Sequence, residues 1–410
     1  MSVESLPPAP AYPLAAGPRR SQRAQRPPVV IVGGEINALT IARSLGRYGV
    51  TVHALSIPSS PVRYSRYARW IALANSISVW RDFLLGNQSR YLHGSVLLAA
   101  SDPALELLRN DYHDLRRLYL IDDMDTVAQE QMLNKLSTYE AARAAGVKTP
   151  GFWTVDNLEQ LQSVRDSLTF PLLVKPLFSH VFDAKHGRKH FFAKHFDDLI
   201  QSWRRVLADG IEAMLVEWIP GLDDRLCSYY TYLDASGQPL FTLTKRVIRR
   251  NSPGEGGACY HITDWVPEVC EPSLKLLRHV GLRGLANVEF KSDPRDGQLK
   301  LIECNARFTA PIYLLQRAGI DLARFVYNRV VGIPQEPLTT FRQGLRLWYP
   351  WEDFHAFRSL QRRGDISWFG WLKSIAHRQI FPIFSGSDPM PSFAEQFCRA
   401  KRRLRVSKQS

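Results

Sequence analysis

One segment constrains this chain most, because it places charged and amide side chains on strands that are otherwise apolar. In GLANVEFKSDPRDGQLKLIECNARF (284–308), the turn residues Asp296 and Gly297 predict a hairpin. Strand alternation then predicts one face of the second arm that consists of Leu301, Glu303, Asn305 and Arg307. Burying such polar groups without partners costs several kcal/mol, so protein groups or a ligand must satisfy them.

The pairing of the two arms predicts a site for a hard cation. Glu289 lies on the first arm, whereas Glu303 and Asn305 lie on the second, so three oxygen-bearing side chains can meet. Oxygen ligands that include two carboxylates suit Mg²⁺, which completes its shell with water and substrate phosphates. The alternative is a cross-strand ion pair in which Glu303 contacts Arg307 or Lys300 on an exposed face.

Length and composition favour a globular cytoplasmic protein. A chain of 410 residues can form two or three domains. No apolar run approaches the ~18 residues that span a bilayer, and we expect the Pro/Arg-rich residues 1–28 to be a disordered leader. The five cysteines are scattered without CxxC spacing, which fits a reducing compartment.

The net charge of +14 raises the question of a nucleic-acid partner. Residues 1–28 hold four Arg and one Glu, and residues 340–410 hold thirteen Lys/Arg and five Asp/Glu. Because the excess lies in the flanks and the middle is nearly balanced, we expect no nucleic-acid binding. The basic tail is either a solvated terminus or a contact for an anionic surface.

The start of the ordered region resembles a Rossmann-like unit. VVIVGG (29–34) predicts a buried strand, residues 36–49 an amphipathic helix, and residues 50–55 a second strand. Gly33-Gly34 does not satisfy GxGxxG, and no acidic residue ends the second strand, so a dinucleotide site is disfavoured. With further strands predicted at 94–102 and 118–122, residues 29–125 form an α/β domain.

Five motifs follow one another in a fixed order. They are NKLSTYEAARAAGVKTP (134–150), FPLLVKP (170–176), LVEWIPGLDD (215–224), NVEFK (287–291) and LIECNARF (301–308), the last followed by LLQRAGIDL. Together they resemble the ATP-grasp ligases, near the carboxylate–amine ligase branch that includes D-aspartate ligase-like proteins. The resemblance covers roughly residues 29–332. It implies an α/β (α+β) fold with an ATP-grasp domain at 126–332, followed by a basic, aromatic-rich extension at 333–410.

The resemblance also implies roles for individual residues. Those that contact the nucleotide are Lys135, Lys175, Glu217, Trp218, Ile219 and Asp224. Those that bind metal are Glu289, Glu303 and Asn305. Arg307 is the catalytic residue that steadies the transferring phosphoryl group or the acyl intermediate. The implied cofactors are ATP and Mg²⁺, with two metal ions and with Mn²⁺ as an alternative. As structural alternatives, Lys175 snorkels to water and Asp223-Asp224 are turn residues.

Two basic segments depart from the family pattern or lie beside it. The predicted loop at 177–195 holds only Gly187, and its basic residues are His180, Lys185, His186, Arg188, Lys189, His190, Lys194 and His195. These groups could replace backbone contacts to phosphate; a zinc site or a solvated loop is the alternative. Acceptor binding is predicted for Lys245, Arg246 and Arg249, with a protective basic strand edge as the alternative.

The C-terminal extension holds Trp348, Trp351, Trp368 and Trp371 among basic residues. This mixture predicts either a peripheral contact with a membrane or lipid-linked substrate, or an accessory layer on the main domain. For the whole chain we expect a ligase that acts on small-molecule carboxylates and amines, as a possible homodimer. The rival hypothesis is a non-catalytic ATP-binding sensor or scaffold that docks on an anionic membrane or polymer.

Overall fold

The first part of the ordered chain alternates strands and helices. The computed structural model describes residues 26–254 and 256–406, so most of the predicted leader 1–28 lies outside the described residues. The first elements are β1 (Val29–Val32), α1 (Ile36–Arg47), β2 (Val52–Ser56), β3 (Arg69–Ala72), α2 (Ile77–Leu85), β4 (Val96–Ala99), α3 (Asp102–Asn110) and α4 (Tyr112–Leu118). The strands form one parallel sheet in the order β3-β2-β1-β4. The α/β class predicted for this region is confirmed.

One strand predicted for this sheet is wrong. Within residues 118–122, only Leu120 pairs, in an isolated bridge to Val96. Helix α4 continues to Leu118, so the remainder is too short to form more than this single bridge, although Tyr119 is buried in the core. The sheet is instead extended at its other edge by β3, whose half-exposed side chains carry little apolar pattern.

A second, antiparallel sheet forms a smaller unit. Its part of the chain contains α5 (Thr126–Leu133), α6 (Lys135–Ala144), β5 (Phe152–Trp153), α7 (Leu158–Ser163), β6 (Leu172–Pro176), α8 (Ser179–His186), β7 (Phe191–Ala193), α9 (Phe196–Ala208) and β8 (Ala213–Glu217). The strand order is β5-β8-β6-β7. The loop predicted after β6 is partly wrong, because α8 occupies it. Phe182 of this helix is buried against Phe191, and Gly187 ends the helix at a φ of +62°.

The third sheet has seven strands and contains the hairpin predicted for residues 284–308. The remaining elements are β9 (Leu226–Leu233), β10 (Pro239–Arg250), β11 (Ala258–Thr263), α10 (Cys270–His279), β12 (Gly284–Ser292), β13 (Leu299–Asn305), α11 (Ile312–Ala318), α12 (Leu322–Val330), β14 (Arg346–Trp348), α13 (Pro350–Arg363), α14 (Trp368–Ile375), β15 (Gln379–Ile380) and α15 (Met390–Val406). The strand order is β13-β12-β9-β10-β11-β14-β15. Two strands of the C-terminal segment therefore extend the central sheet.

Buried ion pairs fasten the C-terminal segment to the rest of the molecule. Arg249 of β10 contacts Asp353 of α13, with 2.6 Å between Nε and Oδ1, and Arg43 of α1 contacts Asp388 at 2.9 Å. Each of these four side chains is at most 5% exposed.

Apolar cores also cross the predicted domain limits, since Val30 of β1 and Val288 of β12 belong to one cluster. The limits at 125 and 332 stay predictions. Among the described residues, no helix has the length and apolarity to cross a bilayer.

Candidate active site

Two adjoining cavities lie between the small antiparallel sheet, α6 and the β12–β13 hairpin. The hinge cavity, about 100 Å³, is bounded by β6, β8 and the hairpin; the arginine cavity, about 210 Å³, is bounded by α6 and the end of β13. Both are lined by Lys135, Tyr139, Lys189, Ile302 and Glu303, so they form one cleft. Nine predicted residues line it, namely Lys135, Lys175, Glu217, Trp218, Ile219, Glu289, Glu303, Asn305 and Arg307.

The hairpin brings the predicted metal ligands together. Glu289 of β12 lies directly opposite Glu303 of β13, and Asn305 follows two residues later on the same strand. The Asn305 Nδ2 atom donates to Glu303 Oε1 over 3.3 Å. All three side chains are partly buried in the cleft.

A β-bulge alters the face predicted for the second arm. The pairing passes from Glu303 directly to Leu301, so Ile302 is an extra residue that reverses the alternation. Leu301 consequently joins Cys304 and Ala306 in the apolar core, and its predicted place beside Glu303 is wrong. The bulge also leaves the Ile302 carbonyl free to accept a hydrogen bond from Lys175 Nζ at 3.1 Å.

The two opposed carboxylates have different electrostatic surroundings. Burial raises the pKa of Glu289, and the neighbouring charge of Glu303 raises it further. Burial alone would also raise the pKa of Glu303, but the nearby Lys189, Lys135 and Lys175 outweigh it and lower that pKa. Two carboxylates that face each other repel, and a cation bound between them would remove the repulsion. The donor set therefore fits a hard divalent cation.

The donor set does not include a third carboxylate or a histidine. Within residues 26–254 and 256–406, no group of three or more His, Cys, Asp and Glu side chains is placed to hold a metal ion. The Asn305 amide oxygen would complete a set of two carboxylates and one amide. The zinc alternative for the basic loop gains no support: His186 contacts Asp209 instead, and the His180 side chain lies outside the described residues.

The cationic side of the cleft is formed by two lysines whose charge is poorly solvated. Burial lowers the pKa of Lys175 to about 8, although Glu303 opposes this shift. Burial and the charge of Lys175 lower the pKa of Lys135 to about 8. Lys175 is only 8% exposed, and it donates to Tyr139 Oη and to the Ile302 carbonyl, so it does not snorkel to water. A phosphate group would compensate these desolvated charges.

The hinge cavity combines an apolar slot with backbone hydrogen-bonding groups. Its apolar lining includes Leu173, Val216, Leu226 and Ile302. The Glu217 carboxylate already accepts from Gly151 N at 3.0 Å and contacts the Arg295 guanidinium. The Ile219 carbonyl accepts from Lys291 Nζ at 2.8 Å. A planar base would therefore lie against the apolar lining beside the Glu217–Ile219 backbone.

The remaining predicted nucleotide contact, Asp224, is not brought into the cleft. Its side chain is exposed in a short turn and lines neither cavity. The adjacent Asp223 is buried instead, and it accepts from Gly254 N at 3.2 Å. The sequence alone gave no means of choosing between two consecutive aspartates, because a one-residue shift reverses their exposure.

Arg307 lines the arginine cavity, but its guanidinium has a partner that the sequence does not reveal. It contacts both carboxylate oxygens of Asp102, the first residue of α3, with 2.8 Å between Nη2 and Oδ2. The pair joins the end of the β12–β13 hairpin to the Rossmann-like unit across 205 residues of chain. The predicted ion pair between Glu303 and Arg307 or Lys300 does not form, since Lys300 contacts Asp293 and Asp296.

The three residues predicted to bind the acceptor lie outside both cavities. Lys245 donates to Ser228 Oγ at 3.0 Å, Arg246 contacts Asp264, and Arg249 forms the buried pair with Asp353. Arg249 is thus part of a structural anchor, and its role in acceptor binding stays a prediction. The neighbouring Arg250 does line the hinge cavity.

Two further residues of the cleft come from the basic loop. Lys189 lines both cavities, and His190 lines the hinge cavity with its Nε2 atom buried and without a partner among the described residues. Burial and the neighbouring Lys175 lower the pKa of His190 to about 3, so the ring is neutral at physiological pH. The sequence analysis named Lys189 and His190 only as members of a basic loop that could contact phosphate. Lys291 was visible within NVEFK, yet nothing in the pattern predicted its contact with the Ile219 carbonyl.

Comparison with known proteins finds similarity to two ligases. No family model matches the chain. It is 24% identical over 334 residues to a D-aspartate ligase of Enterococcus faecium, which covers 74% of this chain and 77% of that protein. A D-alanine–D-alanine ligase of Methylococcus capsulatus is 25% identical over 219 residues, which covers 49% of this chain and 66% of that protein.

Solved structures have the same fold at low sequence identity. The L-amino acid ligase from Bacillus licheniformis aligns with a TM-score of 0.57 at 17% identity, covering 76% of this chain and 75% of that one. The N5-carboxyaminoimidazole synthetase from Staphylococcus aureus aligns with a TM-score of 0.59 at 18% identity, covering 78% and 80%. The chain therefore has the ATP-grasp fold, and its sequence is similar to those of proteins named D-aspartate ligase and D-alanine–D-alanine ligase.

Proposed function

We propose that this protein is an ATP-dependent ligase that joins a carboxylate to an amine. The observation that carries the proposal is the meeting of two desolvated lysines with two opposed carboxylates in one cleft, beside an apolar slot. Cations that face the phosphates and carboxylates that hold a divalent metal are the parts phosphoryl transfer requires. In this reaction the γ-phosphoryl group of ATP passes to the substrate carboxylate, and the amine then displaces phosphate to form an amide.

Each part of the cleft has a distinct task in the proposed reaction. Lys135 and Lys175 bind the phosphates of the nucleotide, and the Glu217–Ile219 backbone positions the base. Glu289, Glu303 and Asn305 hold Mg²⁺, which neutralises charge on the transferring phosphoryl group. We infer two metal ions, with Mn²⁺ as an alternative to Mg²⁺. Two carboxylates and one amide do not fill the coordination shells of these ions, so phosphate oxygens can occupy the remaining positions.

Arg307 and Lys189 complete the proposed site on the side of the arginine cavity. Arg307 presents planar donors that suit phosphoryl or acyl-phosphate oxygens, and Asp102 fixes its orientation. Lys189 lies in the loop before β7 and lines both cavities. It can therefore contact phosphate groups in either cavity. Asp224 remains a ribose contact only if the exposed turn moves towards the nucleotide.

The rival hypothesis, a non-catalytic ATP-binding sensor or scaffold, has less support. A protein that only binds ATP has little need of two carboxylates that repel each other in the same cleft. The ligase names of the sequence relatives point in the same direction. We therefore prefer the catalytic role.

The direct test is ADP release with Mg²⁺ across a panel of carboxylates and amines. D-Aspartate and D-alanine come first, because the relatives are named D-aspartate ligase and D-alanine–D-alanine ligase. We expect substrate-dependent ADP release together with a new amide detected by mass spectrometry. Tight ATP binding without ADP release, even with cell extract as the source of substrates, would instead support the sensor.

The proposal also covers the partners of the enzyme. We infer small-molecule substrates, peripheral contact with a membrane, and a homodimer that sedimentation can test. The dimer has its support in a structural neighbour, since the biotin carboxylase domain of Hydrogenobacter thermophilus was solved as a dimer. That domain aligns with a TM-score of 0.60 at 16% identity and covers 78% of this chain.

A further inference from the structure

Exposed apolar side chains are concentrated in the C-terminal segment. Nine of the sixteen large hydrophobic side chains that are exposed in the described part of the chain lie between residues 351 and 397. We call them the C-terminal surface: Trp351, Trp368, Phe369, Leu372, Phe381, Phe384, Met390, Phe393 and Phe397. Soluble proteins rarely expose so many large apolar groups in one region, and such a concentration marks an interaction site.

The members of this surface are connected through space. A cavity of about 580 Å³ is lined by Trp351 of α13, by Phe381 and Phe384, and by Phe393 of α15. The Trp351 ring lies 6.4 Å from Phe354, whose ring lies 6.4 Å from Trp368 of α14. The cavity thus connects α15 to α13, and the aromatic contacts connect α13 to α14.

Helix α15 has one apolar face that is turned to solvent. Met390, Phe393 and Phe397 recur at intervals of three and four residues, and they are 56%, 67% and 60% exposed. The other side of the helix is fixed, because Arg399 contacts Glu352 of α13 as well as Glu395. Helix α14 is similar, with Phe369 78% exposed and no buried residue.

The charge around this surface is strongly positive. Residues 340–410 contain thirteen Lys/Arg and five Asp/Glu, and the last turns of α15 carry Lys401, Arg402, Arg403 and Arg405. At least two of the five acidic residues do not reduce the positive charge that a partner meets at this surface, because Asp353 and Asp388 are buried in ion pairs. Apolar helix faces flanked by Lys and Arg are typical of segments that lie in the interface of an anionic membrane.

We propose that the C-terminal surface binds an anionic phospholipid bilayer, with α14 and the apolar face of α15 in the headgroup region. The inference deepens the proposed membrane contact of the ligase and names its lipid chemistry. A second copy of the chain fits less well: a two-fold dimer through this face would bring two cationic surfaces together. Charge complementarity therefore favours lipid phosphate over self-association.

The test is co-sedimentation of the full-length protein with phosphatidylcholine vesicles that contain or lack phosphatidylglycerol. We expect binding only to the anionic vesicles, and we expect it to weaken as salt rises. The double variant Phe384→Ser/Phe393→Ser should bind on the order of tenfold more weakly or worse, because it removes two large apolar contacts. A matched control, Tyr91→Ser/Val127→Ser, alters side chains of 64% and 66% exposure outside the surface and should bind like wild type.

Three outcomes would overturn the proposal. Wild-type protein that binds neither kind of vesicle, or equal losses in the surface variant and the control, would remove the membrane role. A shift of the surface variant from dimer to monomer in sedimentation without vesicles would assign the face to self-association. ADP release by the surface variant in solution should equal that of wild type. A loss of vesicle binding is therefore distinguishable from a failure of the ligase proposal.

Discussion

Charged side chains are buried in two regions of this molecule, and the two regions treat them differently. In the C-terminal anchor, each buried arginine meets a carboxylate: Arg249 contacts Asp353, and Arg43 contacts Asp388. In the cleft, Lys175 donates only to a tyrosine hydroxyl and a backbone carbonyl, and Glu289 faces another carboxylate. In these two regions, the paired charges hold the fold together, whereas the charges of the cleft, with neutral or like-charged neighbours, are arranged for a ligand.

The largest effect that this comparison predicts is on stability. Asp353→Ala should leave Arg249 buried without its carboxylate and should cost roughly 3–5 kcal/mol in the free energy of unfolding. It would also remove the acceptor for Trp371 Nε1, which donates to Asp353 Oδ2 at 2.9 Å. Denaturant unfolding measures this change. The control is Asp365→Ala, an exposed residue of the same segment, and an equal loss there would contradict the anchor.

The next effect is on turnover. Glu303→Gln should lower ADP release by roughly 10²–10³-fold, the scale on which removal of one preorganised electrostatic group acts. The melting temperature without ATP should change little. The substitution removes both the attraction between the Glu303 carboxylate and three lysines and the repulsion between Glu303 and Glu289. The exposed Glu268→Gln is the control. Wild-type turnover of Glu303→Gln at limiting Mg²⁺ would refute the metal assignment.

Arg307 shares features with both groups of buried charges. It has a carboxylate partner, as the arginines of the anchor do, and it also lines the cleft. If it steadies the phosphoryl group, Arg307→Lys should keep ATP affinity and lower turnover by roughly 10²-fold, since lysine lacks planar paired donors. Asp102→Asn separates the roles, as it keeps the guanidinium and removes its partner. Full turnover of Arg307→Lys with a lower melting temperature would make the residue an anchor like Arg249.

A smaller effect is expected on nucleotide affinity. Lys175→Ala should weaken ATP binding by ~1.5–3 kcal/mol, the range for hydrogen bonds to charged groups. Isothermal calorimetry measures this loss. Lys245→Met is the matched control, because Lys245 is also buried but lines neither cavity. ATP affinity that is the same in the Lys175 variant and in wild type would remove this lysine from the nucleotide site.

The sequence predicted the β12–β13 hairpin and most residues of the cleft because both depend on short-range patterns. Turn residues and strand alternation place Glu289 opposite Glu303, and motif order identifies the lysines. It could not predict the partners of Arg307 and Arg249, because Asp102 and Asp353 lie 205 and 104 residues away along the chain. The sequence also could not predict the bulge at Ile302, because an alternating pattern of polar and apolar residues does not reveal one extra residue in a strand. Long-range ion pairs and register shifts therefore account for the main errors.

The smallest predicted effect distinguishes Arg246 from its neighbour Arg249 on the same strand. Arg246 contacts Asp264 at 2.8 Å, but the two side chains are 39% and 41% exposed. Ion pairs at such exposure contribute ~0–1 kcal/mol, since water and salt screen them. Arg246→Ala should therefore leave both unfolding free energy and turnover nearly unchanged.

That same variant also tests what remains of the predicted acceptor region. A surface ion pair without function would leave the KM for every substrate unaltered, because Arg246 lines neither cavity. A raised KM for one substrate, with unchanged ATP affinity and stability, would show instead that β10 moves against the cleft when the acceptor binds. Steady-state kinetics on Arg246→Ala, with a substitution of the exposed Arg278 of α10, Arg278→Ala, as the control, separates a solvated strand edge from a substrate contact.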